Sequence, residues 1–268
     1  MDRVLREGAF AGETHIVTGA AQGIGNAVAT SLAVHGARVV VVDLDEGRVA
    51  EATKEIAAVA PTEPIACPAN VTAEADVRRA VGTAVEAGDG VNGLVNVAGI
   101  TRDARIVKKS LDDFQAVLAV HLHGTFLFLR EVAFQDWHPR FKANGGPLRD
   151  GVNRYAVNFS SVSARNGNIG QIDYTAAKGA IESATKTAAR EFAAYGARVN
   201  AIAPGPVNTP MLAGVGEEGI AAMSRMTLIG RIAEPYELAR TVTALADPLL
   251  MAYTTGQVLQ ANGGLYLD

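Results

Sequence analysis

Short apolar runs alternate with helix-like segments along almost the whole chain, and this rhythm constrains the fold more than any other feature. The clearest run, ARVVVVDLD at 37–45, is almost continuously apolar and β-branched, which is typical of a strand buried on both faces of a parallel sheet. A segment with helical spacing follows it, as expected of βαβ units. The sequence therefore predicts an α/β fold, with a doubly wound parallel sheet of about seven strands and helices on both faces.

The predicted elements follow one another without a linker-like break or an internal repeat. Strands are expected at 14–19, 37–45, 64–69, 93–99, 154–161, 198–204 and 256–264, and helices at 23–35, 47–59, 73–87, 110–134, 174–195 and 235–247. We therefore expect a single domain over 1–268. The polar, glycine-containing stretch at 142–153 is longer than most connections in such folds, so we interpret it as a surface insertion.

Charge and cysteine content exclude several classes of protein. Lys plus Arg number 24 against 28 for Asp plus Glu, so the net charge of −4 argues against a nucleic-acid partner. The one cysteine, Cys67, cannot form an internal disulfide, and no pattern of His, Cys or carboxylates predicts a metal site. The N-terminal residues lack the pattern of a signal peptide, and no apolar stretch reaches the ~18 residues of a membrane span. We expect a cytoplasmic protein that has no membrane partner.

A glycine-rich turn, TGAAQGIG at 18–25, joins the first predicted strand to the first predicted helix. Side chains at Gly19 or Gly23 would keep a pyrophosphate away from the backbone, and Gly25 permits close packing of the helix on the strand. Because the turn lies between a strand and a helix near the N-terminus, it predicts a dinucleotide-binding Rossmann fold. Gln22 and Ile24 belong to the same turn and are predicted to contact the cofactor.

Asp43 ends the second predicted strand, 18 residues after Gly25. A carboxylate there can accept hydrogen bonds from both hydroxyls of the adenosine ribose and would repel a 2′-phosphate. No basic residue follows at once, since Leu44 comes next, and both residues are predicted to contact the cofactor. The sequence therefore favours NAD over NADP. The alternative is that Asp43 merely caps the following helix.

Three residues in the second half of the chain have the chemistry of carbonyl reduction. Tyr174 and Lys178 are four residues apart and share a face of a predicted helix, where an ammonium would lower the pKa of the phenol toward the working pH. Ser161 ends a strand, at the edge where parallel sheets bind ligands. Its hydroxyl can hold a substrate carbonyl while Tyr174 gives or takes the proton. The alternative is an ordinary surface pair of tyrosine and lysine.

These motifs, taken together, resemble those of the short-chain dehydrogenase/reductase family over nearly the whole chain. Ser161, Tyr174 and Lys178 match its catalytic residues, and the resemblance extends to the segments NVAG (96–99), PGPVNTPM (204–211) and GQVLQANGG. The resemblance implies that the cofactor contacts a further set of residues: Asn70, Val71, Asn96, Ala98, Gly99, Pro204, Val207 and Thr209, as well as Tyr174 and Lys178. It also implies a homotetramer that packs in part through the C-terminal strand.

Three positions depart from the family pattern. Val97 replaces the second Asn of the NNAG motif, and Asn70 stands where an Asp usually reaches the adenine. The family's catalytic Asn, which holds a proton-relay water, is replaced by His121 in the segment VHLHGT (120–125). We predict that His121 takes over the relay, and its unperturbed pKa of about 6.5 would then add a pH-sensitive limb to turnover. The alternative is a histidine that only packs between helices.

We predict an enzyme, an oxidoreductase that transfers a hydride between NAD and a secondary alcohol or ketone. The resemblance makes 3-hydroxyacyl/3-oxoacyl thioesters the first choice of substrate, similar to those of 3-oxoacyl-ACP/CoA reductases. Residues 205–232 carry several Met, Leu and Ile side chains and are expected to form an adaptable substrate lid. Two alternatives stay open: a dehydrogenase of hydrophobic cyclic alcohols or steroids, and a non-catalytic dinucleotide-binding sensor or scaffold.

Overall fold

The computed structural model describes residues 5–212 and 214–267 of the chain. Positions 1–4 and 268 of the predicted domain, and position 213 of the predicted lid, lie outside the described residues. The described residues contain one seven-stranded sheet in the order β3-β2-β1-β4-β5-β6-β7, and every neighbouring pair is parallel. The strands are β1 (Thr14–Thr18), β2 (Arg38–Asp43), β3 (Ile65–Pro68), β4 (Gly93–Asn96), β5 (Arg154–Phe159), β6 (Ala197–Pro204) and β7 (Val258–Ala261). The predicted α/β class and parallel sheet are confirmed.

Strands β1 and β4 are neighbours in the sheet although β2 and β3 lie between them in sequence. Val17 of β1 is opposite Val41 of β2 on one side and opposite Val95 of β4 on the other. The winding of the chain therefore reverses direction beside β1, and the loops after β1 and β4 diverge there. In open α/β sheets, ligands bind in the crevice at this switch point, outside the carboxyl ends of the strands.

Helices cover both faces of the sheet, because successive strand residues face opposite sides. In β2, Val39 and Val41 belong to one buried core, whereas Val40 and Val42 belong to the other. The helices are α1 (Gly23–Val34), α2 (Glu46–Ala57), α3 (Glu74–Ala87), α4 (Leu111–Leu118), α5 (Gly124–Val132), α6 (His138–Ala143), α7 (Ser163–Asn166), α8 (Ile172–Phe192), α9 (Glu217–Met226), α10 (Pro235–Ala246) and α11 (Pro248–Met251). Residues of α1, α2 and α10 complete the first core, and residues of α3, α5 and α8 complete the second.

Helices α4, α5 and α6 form one continuous helical segment, Leu111–Ala143, which runs past the predicted end at 134. Two π-helical stretches, Ala119–His123 and Ala133–Trp137, join the three parts. By length and composition this segment is sufficient to cross a membrane, although it contains no continuous apolar run of that length. Core helices of globular proteins pass the same test. Phe128 and Val132 are fully buried in the second core, as expected of a core helix.

Two loops that flank β5 differ in detail from the sequence-based expectation. The stretch at 142–153 begins inside α6 and then exposes most of its side chains, but Leu148 is buried and its amide N–H donates to the carbonyl of Ala194 at 3.0 Å. After β5, the short helix α7 was not predicted, and α8 begins two residues earlier than expected, at Ile172. The earlier start places Tyr174 within the first turn of α8.

Candidate active site

A cleft of about 420 Å³ opens at the carboxyl ends of the strands, beside the switch point. Of the predicted site residues, all but Asn96 line it: Gly19, Gln22, Gly23, Ile24, Gly25, Asp43, Leu44, Asn70, Val71, Ala98, Gly99, His121, Ser161, Tyr174, Lys178, Pro204, Val207 and Thr209. Other lining residues were not selected from the sequence: Ala69, Val97, Ile100, Val120, Phe159, Ser160, Gly205, Pro206 and Pro210. Most of these are chain neighbours of selected residues and could have been found from that proximity.

Asn96 lies behind the wall of the cleft. Its side chain is buried, and its Nδ2 donates to Oδ1 of Asn158 at 2.9 Å, which links β4 to β5. Thr18 supports the turn that follows, because its Oγ1 accepts hydrogen bonds from the amide N–H groups of Val97 at 3.1 Å and Ala98 at 3.2 Å. The side chain of Asn96 therefore holds neighbouring strands together, and its contact with the cofactor stays a prediction.

The glycine-rich turn has no room for side chains where its backbone approaches other backbone. Gly19 has a φ of +66°, and a Cβ on it would lie 2.8 Å from the Cα of Ala98. A Cβ on Gly25 would collide with the carbonyl oxygen of Gly19. Because these neighbours are backbone atoms, no rotamer change can relieve the contacts. The turn thus leaves an open backbone cradle at the start of α1, of the kind that binds a pyrophosphate.

Asp43 is braced at the end of β2 by two backbone groups. Its Oδ2 accepts from the amide of Ala21 at 3.1 Å, and its Oδ1 accepts from the amide of Leu44 at 2.7 Å. The cap of α2 is Asp45, whose side chain accepts from the amide of Arg48 at 3.0 Å. The alternative that Asp43 caps this helix is therefore wrong, and its carboxylate lines the cleft instead.

Sequence analysis missed a cation beside this end of the cleft. Arg48 comes five positions after Asp43 in the chain, and its Nη1 donates to Oε1 of Gln22 at 3.1 Å. The guanidinium is exposed and also lies 3.9 Å from the carboxylate of Asp45. The first turn of α2 places Arg48 beside Gln22, so a basic residue need not follow Asp43 directly to lie near this end of the cleft.

Asn70 and Thr209 line opposite ends of the cleft and bond to their own segments. The Oδ1 of Asn70 accepts from the amide of Thr72 at 3.0 Å and from its hydroxyl at 2.8 Å, which shapes the turn after β3. The hydroxyl of Thr209 donates to the carbonyl of Val207 at 3.4 Å. Its methyl group approaches the glycine-rich turn, since a Cβ on Gly23 would lie 3.4 Å from it.

Ser161, Tyr174 and Lys178 meet at the opposite end of the cleft from Asp43. Ser161 follows β5, and Tyr174 and Lys178 lie on successive turns of α8. Ser161 and Tyr174 both line the cleft, and the Oγ of Ser161 accepts a hydrogen bond from the amide of Ser163 at 3.2 Å. The Nζ of Lys178 lies 5.5 Å from the centroid of the Tyr174 ring and donates to the carbonyl of Phe159 at 2.6 Å.

Burial governs the ionisation of Lys178 and Tyr174. It lowers the pKa of Lys178 to about 7, because the ammonium loses its hydration. Burial also raises the pKa of Tyr174, and the hydrogen bond with Ser161 opposes that rise. The predicted lowering of the Tyr174 pKa by the ammonium is therefore reversed in this structure. Desolvation of the phenolate is the largest cause of the raised pKa, and the negative charge of Asp103 adds to it.

His121 lies in the first π-helical stretch and is buried against both Tyr174 and the loop after β4. Its ring packs edge-on against Tyr174, with 5.1 Å between centroids. Its Nε2 is 2.8 Å from the carbonyl oxygen and 3.1 Å from the amide nitrogen of Ile100, and its Nδ1 has no hydrogen-bond partner among the described residues. Burial, with the nearby charge of Lys178, lowers the pKa of His121 to about 3. The expected titration at about 6.5 is corrected: the imidazole stays neutral at working pH.

Gly99 provides the space that the His121 ring occupies. A Cβ on Gly99 would collide with the Cε1 of His121. Gly99 does not have a positive φ, so the glycine serves to make space rather than to permit a turn. This pairing of a glycine with a distant histidine had no signal in the sequence.

Comparison with known proteins agrees with the geometry of the cleft. A family model described as enoyl-(acyl carrier protein) reductase matches residues 19–266. The chain belongs to the short-chain dehydrogenase/reductase family. As a member of this family, the protein is an oxidoreductase that transfers a hydride between a nicotinamide cofactor and a ketone or secondary alcohol.

Several relatives of this short-chain dehydrogenase/reductase match it over nearly their full length. A 3-oxoacyl-(acyl-carrier-protein) reductase of Synechocystis sp. is 34% identical over 259 residues, which cover 97% of this chain and 99% of the relative. The short-chain reductase protein NovJ of Streptomyces niveus is 38% identical over 257 residues, covering 93% and 92%. A (3R)-3-hydroxyacyl-CoA dehydrogenase of Canis lupus familiaris is 32% identical over 260 residues, covering 94% and 95%.

The cleft of this family member fits a nicotinamide dinucleotide. The cradle beside Gly19 and Gly25 leaves backbone open where a pyrophosphate would lie, and the carboxylate of Asp43 stands at one end of the same cleft. Tyr174 and Lys178 stand at the other end. Among residues 5–212 and 214–267, no group of three His, Cys, Asp or Glu side chains has the arrangement of a metal site.

A buried carboxylate, which sequence analysis missed, supports the strand that leads to Ser161. Glu182 lies one turn after Lys178, and its Oε1 accepts from the hydroxyl of Ser160 at 2.9 Å. Its Oε2 is 2.8 Å from Nε of Arg165 in α7. The carboxylate therefore ties both the end of β5 and the helix after it to α8.

Proposed function

We propose that this short-chain dehydrogenase/reductase interconverts 3-oxoacyl and 3-hydroxyacyl thioesters, with NAD as its preferred cofactor. The observation that carries the proposal is the cluster of Ser161, Tyr174 and Lys178 in a cleft that also holds the glycine cradle. The names of two relatives, a 3-oxoacyl-(acyl-carrier-protein) reductase and a (3R)-3-hydroxyacyl-CoA dehydrogenase, support the substrate class.

In ketone reduction, each catalytic side chain acts on the carbonyl oxygen or on the proton. The bound nicotinamide cofactor supplies the hydride. Ser161 donates a hydrogen bond to the substrate oxygen, and Tyr174 gives its proton to that oxygen as the alcohol forms. Lys178, when protonated, stabilises the phenolate that Tyr174 becomes. We assign His121 to the relay that returns a proton toward Lys178, because its Nδ1 has no hydrogen-bond partner among the described residues. Alcohol oxidation runs the same transfers in reverse.

The preference for NAD rests on Asp43. Its carboxylate is half-buried, braced by two backbone amides, and lines the cleft at the end of β2, where it opposes a 2′-phosphate. Arg48 works against this preference, because its guanidinium reaches Gln22 beside the same end of the cleft. We assign the larger effect to Asp43, since Arg48 is exposed and already paired with Asp45.

The cofactor preference is tested with kcat/KM for NADH and NADPH. Loss of a charged hydrogen-bond partner costs ~1.5–3 kcal/mol, so NADH should be favoured about ten- to a hundredfold. Asp43→Asn should lower the ratio of kcat/KM for NADH to kcat/KM for NADPH. Arg48→Gln, which removes the opposing positive charge, should raise this ratio. A parent protein that prefers NADPH would refute the assignment.

The substrate end of the cleft is bordered by a segment with many exposed apolar side chains, which we propose is the lid. Met211 and Leu212 line the cleft, while Met226, Leu228 and Ile229 are more than half exposed. Among its described residues, α9 has no buried side chain. Flexible apolar side chains that face solvent, in a segment whose first part lines the cleft, suit an acyl chain of variable length.

The substrate class is tested with matched ketones. Acetoacetyl-CoA, 3-oxododecanoyl-CoA, a cyclic ketone and a steroid ketone are supplied with NADH, and the loss of absorbance is followed. We expect the thioesters to give the highest kcat/KM. Tyr174→Phe should lose about 10²- to 10⁴-fold in kcat with little change in NADH affinity. A faster cyclic or steroid ketone would refute the substrate, and an active Tyr174→Phe variant would refute the role of Tyr174.

We also propose a homotetramer in the cytoplasm. Apolar side chains near the C-terminal strand are exposed in the single chain: Leu249, Leu250, Tyr253 and Leu259. Closed symmetric assemblies bury such surfaces in many enzymes. Light scattering should give four times the 27.9 kDa chain mass at micromolar concentration. A monomer would contradict the assembly, and recovery in the membrane fraction of cells would contradict the location.

A further inference from the structure

Lys109 and Asp173 form a deeply buried ion pair at the start of the catalytic helix. The Nζ of Lys109 is 2.7 Å from Oδ2 of Asp173, and the two side chains are only 4% and 1% exposed. Burying two charges forfeits their hydration, so such a pair adds little to stability compared with apolar side chains of the same size. Neither charge takes part in the chemistry proposed above. The location of the pair is therefore the feature that needs an explanation.

Asp173 connects this ion pair directly to the catalytic tyrosine. It is the second residue of α8, and its Oδ1 accepts from the amide N–H of Tyr174 at 2.9 Å. Its other carboxylate oxygen bonds to Lys109, which also donates to the carbonyl of Arg102. One buried carboxylate thus joins the backbone of Tyr174 to the loop that follows β4.

The same loop also carries the partner of His121. Ile100, at the beginning of the loop, bonds through its backbone to the imidazole that packs against Tyr174. Two further contacts attach the loop to the residues before α8. The amide of Ala104 donates to the carbonyl of Gly170 at 3.0 Å, and the side chain of Gln171 donates to Asp103 at 3.0 Å. These two contacts are exposed or involve backbone, whereas the Lys109–Asp173 pair is enclosed.

We propose that Lys109 and Asp173 are positioning residues that hold the Tyr174 hydroxyl at its distance from Ser161 and His121. The pair fixes the first turn of α8 to the loop after β4, so the tyrosine and the histidine share one rigid support. This proposal rests on the proposed catalytic role of Tyr174. A shift of about 1 Å in such a group costs on the order of a hundredfold in rate, which sets the size of the expected effect.

Three variants separate positioning from stability. Asp173→Asn keeps an acceptor for the Tyr174 amide but leaves the Lys109 ammonium buried without its partner, so both Tm and kcat should fall. Lys109→Met leaves Asp173 unpaired and should do the same. The double variant carries no buried charge at this place, so its Tm should recover. Its kcat should nevertheless stay about ten- to a hundredfold below that of the parent, because the ion pair between the loop after β4 and the first turn of α8 is absent.

A matched control lies at the other end of β5. Arg154 is 2% exposed, and its guanidinium binds Asp150 at 2.7 Å, away from the cleft. Asp150→Asn therefore leaves a buried cation unpaired, as Asp173→Asn does, but far from Tyr174. We expect Asp150→Asn to lower Tm and to leave kcat within about twofold of the parent at a temperature where both are folded.

The readouts are kcat with acetoacetyl-CoA, Tm, and NADH affinity by fluorescence. The proposal predicts a double variant with parent-like Tm and NADH affinity but reduced kcat. A double variant whose kcat returns to the parent value along with its Tm would overturn it, and so would an equal loss of kcat in Asp150→Asn. Tyr174→Phe is measured in parallel. If that variant is active, the role of Tyr174 has failed; if it is inactive while the double variant is fully active, only the positioning role has failed.

Discussion

Ketone reduction by this protein should slow as the pH rises through about 7, because Lys178 loses its proton there. Burial holds the pKa of Lys178 at about 7, well below the ordinary value of 10.5. Its ammonium lies 5.5 Å from the centroid of the Tyr174 ring, close enough to stabilise the phenolate that forms when Tyr174 gives up its proton. The neutral amine above this pH cannot do so. Alcohol oxidation should show the opposite slope, since the neutral amine can accept a proton.

The magnitude follows from the fraction of Lys178 that stays protonated. Two pH units above the pKa, about 1% of the side chain carries a proton, so kcat/KM for reduction should fall about a hundredfold between about pH 6 and about pH 9. The free enzyme determines this quantity, so the state described here is the relevant one. His121 cannot be the source of the limb, because its pKa of about 3 keeps it neutral throughout.

Two variants test whether the fall of kcat/KM with pH comes from Lys178. Lys178→Arg keeps its proton at every pH in the range, so its lower activity should be flat where that of the parent falls. His121→Asn should keep the limb, because it replaces one neutral group with another. The assay is the initial rate of NADH oxidation with acetoacetyl-CoA across the pH range, with Tm recorded at each pH. A limb that survives in Lys178→Arg, or that flattens in His121→Asn, would refute the reasoning.

Three further outcomes follow from other contacts. Gly99→Ala should lower kcat at least tenfold, since its Cβ would displace the His121 ring, and adding His121→Asn should restore much of the loss; no recovery in the double variant would count against steric coupling. His121→Leu should lower kcat while NADH affinity stays near that of the parent, and unchanged turnover would leave the histidine a packing role only. Glu237→Gln should lower the free energy of unfolding at neutral pH by about 1 kcal/mol, a discounted value because Arg231 in this pair is exposed. The pKa of Glu237 is lowered to about 2, so its contribution to the free energy of unfolding is present above its ordinary pKa of 4.5 and is lost as the pH falls toward 2. Urea unfolding that shows the same difference between parent and Glu237→Gln at neutral pH and near pH 2 would contradict this.

The order of elements and most of the cleft could be predicted because their signals are local. A continuous run of β-branched apolar residues such as Val39 to Val42 predicts a strand buried on both faces, and Gly19 and Gly25 are needed by a tight turn between adjacent elements. Predictions from local sequence were incomplete where a side chain contacts a residue that is distant in the chain. Asn96 has the position of a site residue in its motif, yet its bond to Asn158 on the neighbouring strand takes its side chain behind the cleft.

The sequence by itself determined the α/β class, the glycine-rich turn and the residue types that meet in the cleft, because spacing within a strand, turn or helix is a property of the local chain. Only the tertiary structure decided the protonation states of those residues and the contacts that fix their positions. The neutral state of His121 comes from burial beside Lys178, and the pairing of Lys109 with Asp173 joins residues 64 positions apart. Desolvation and charge–charge energies depend on distances between elements that are remote in sequence. Those distances exist only once the helices have packed on the sheet.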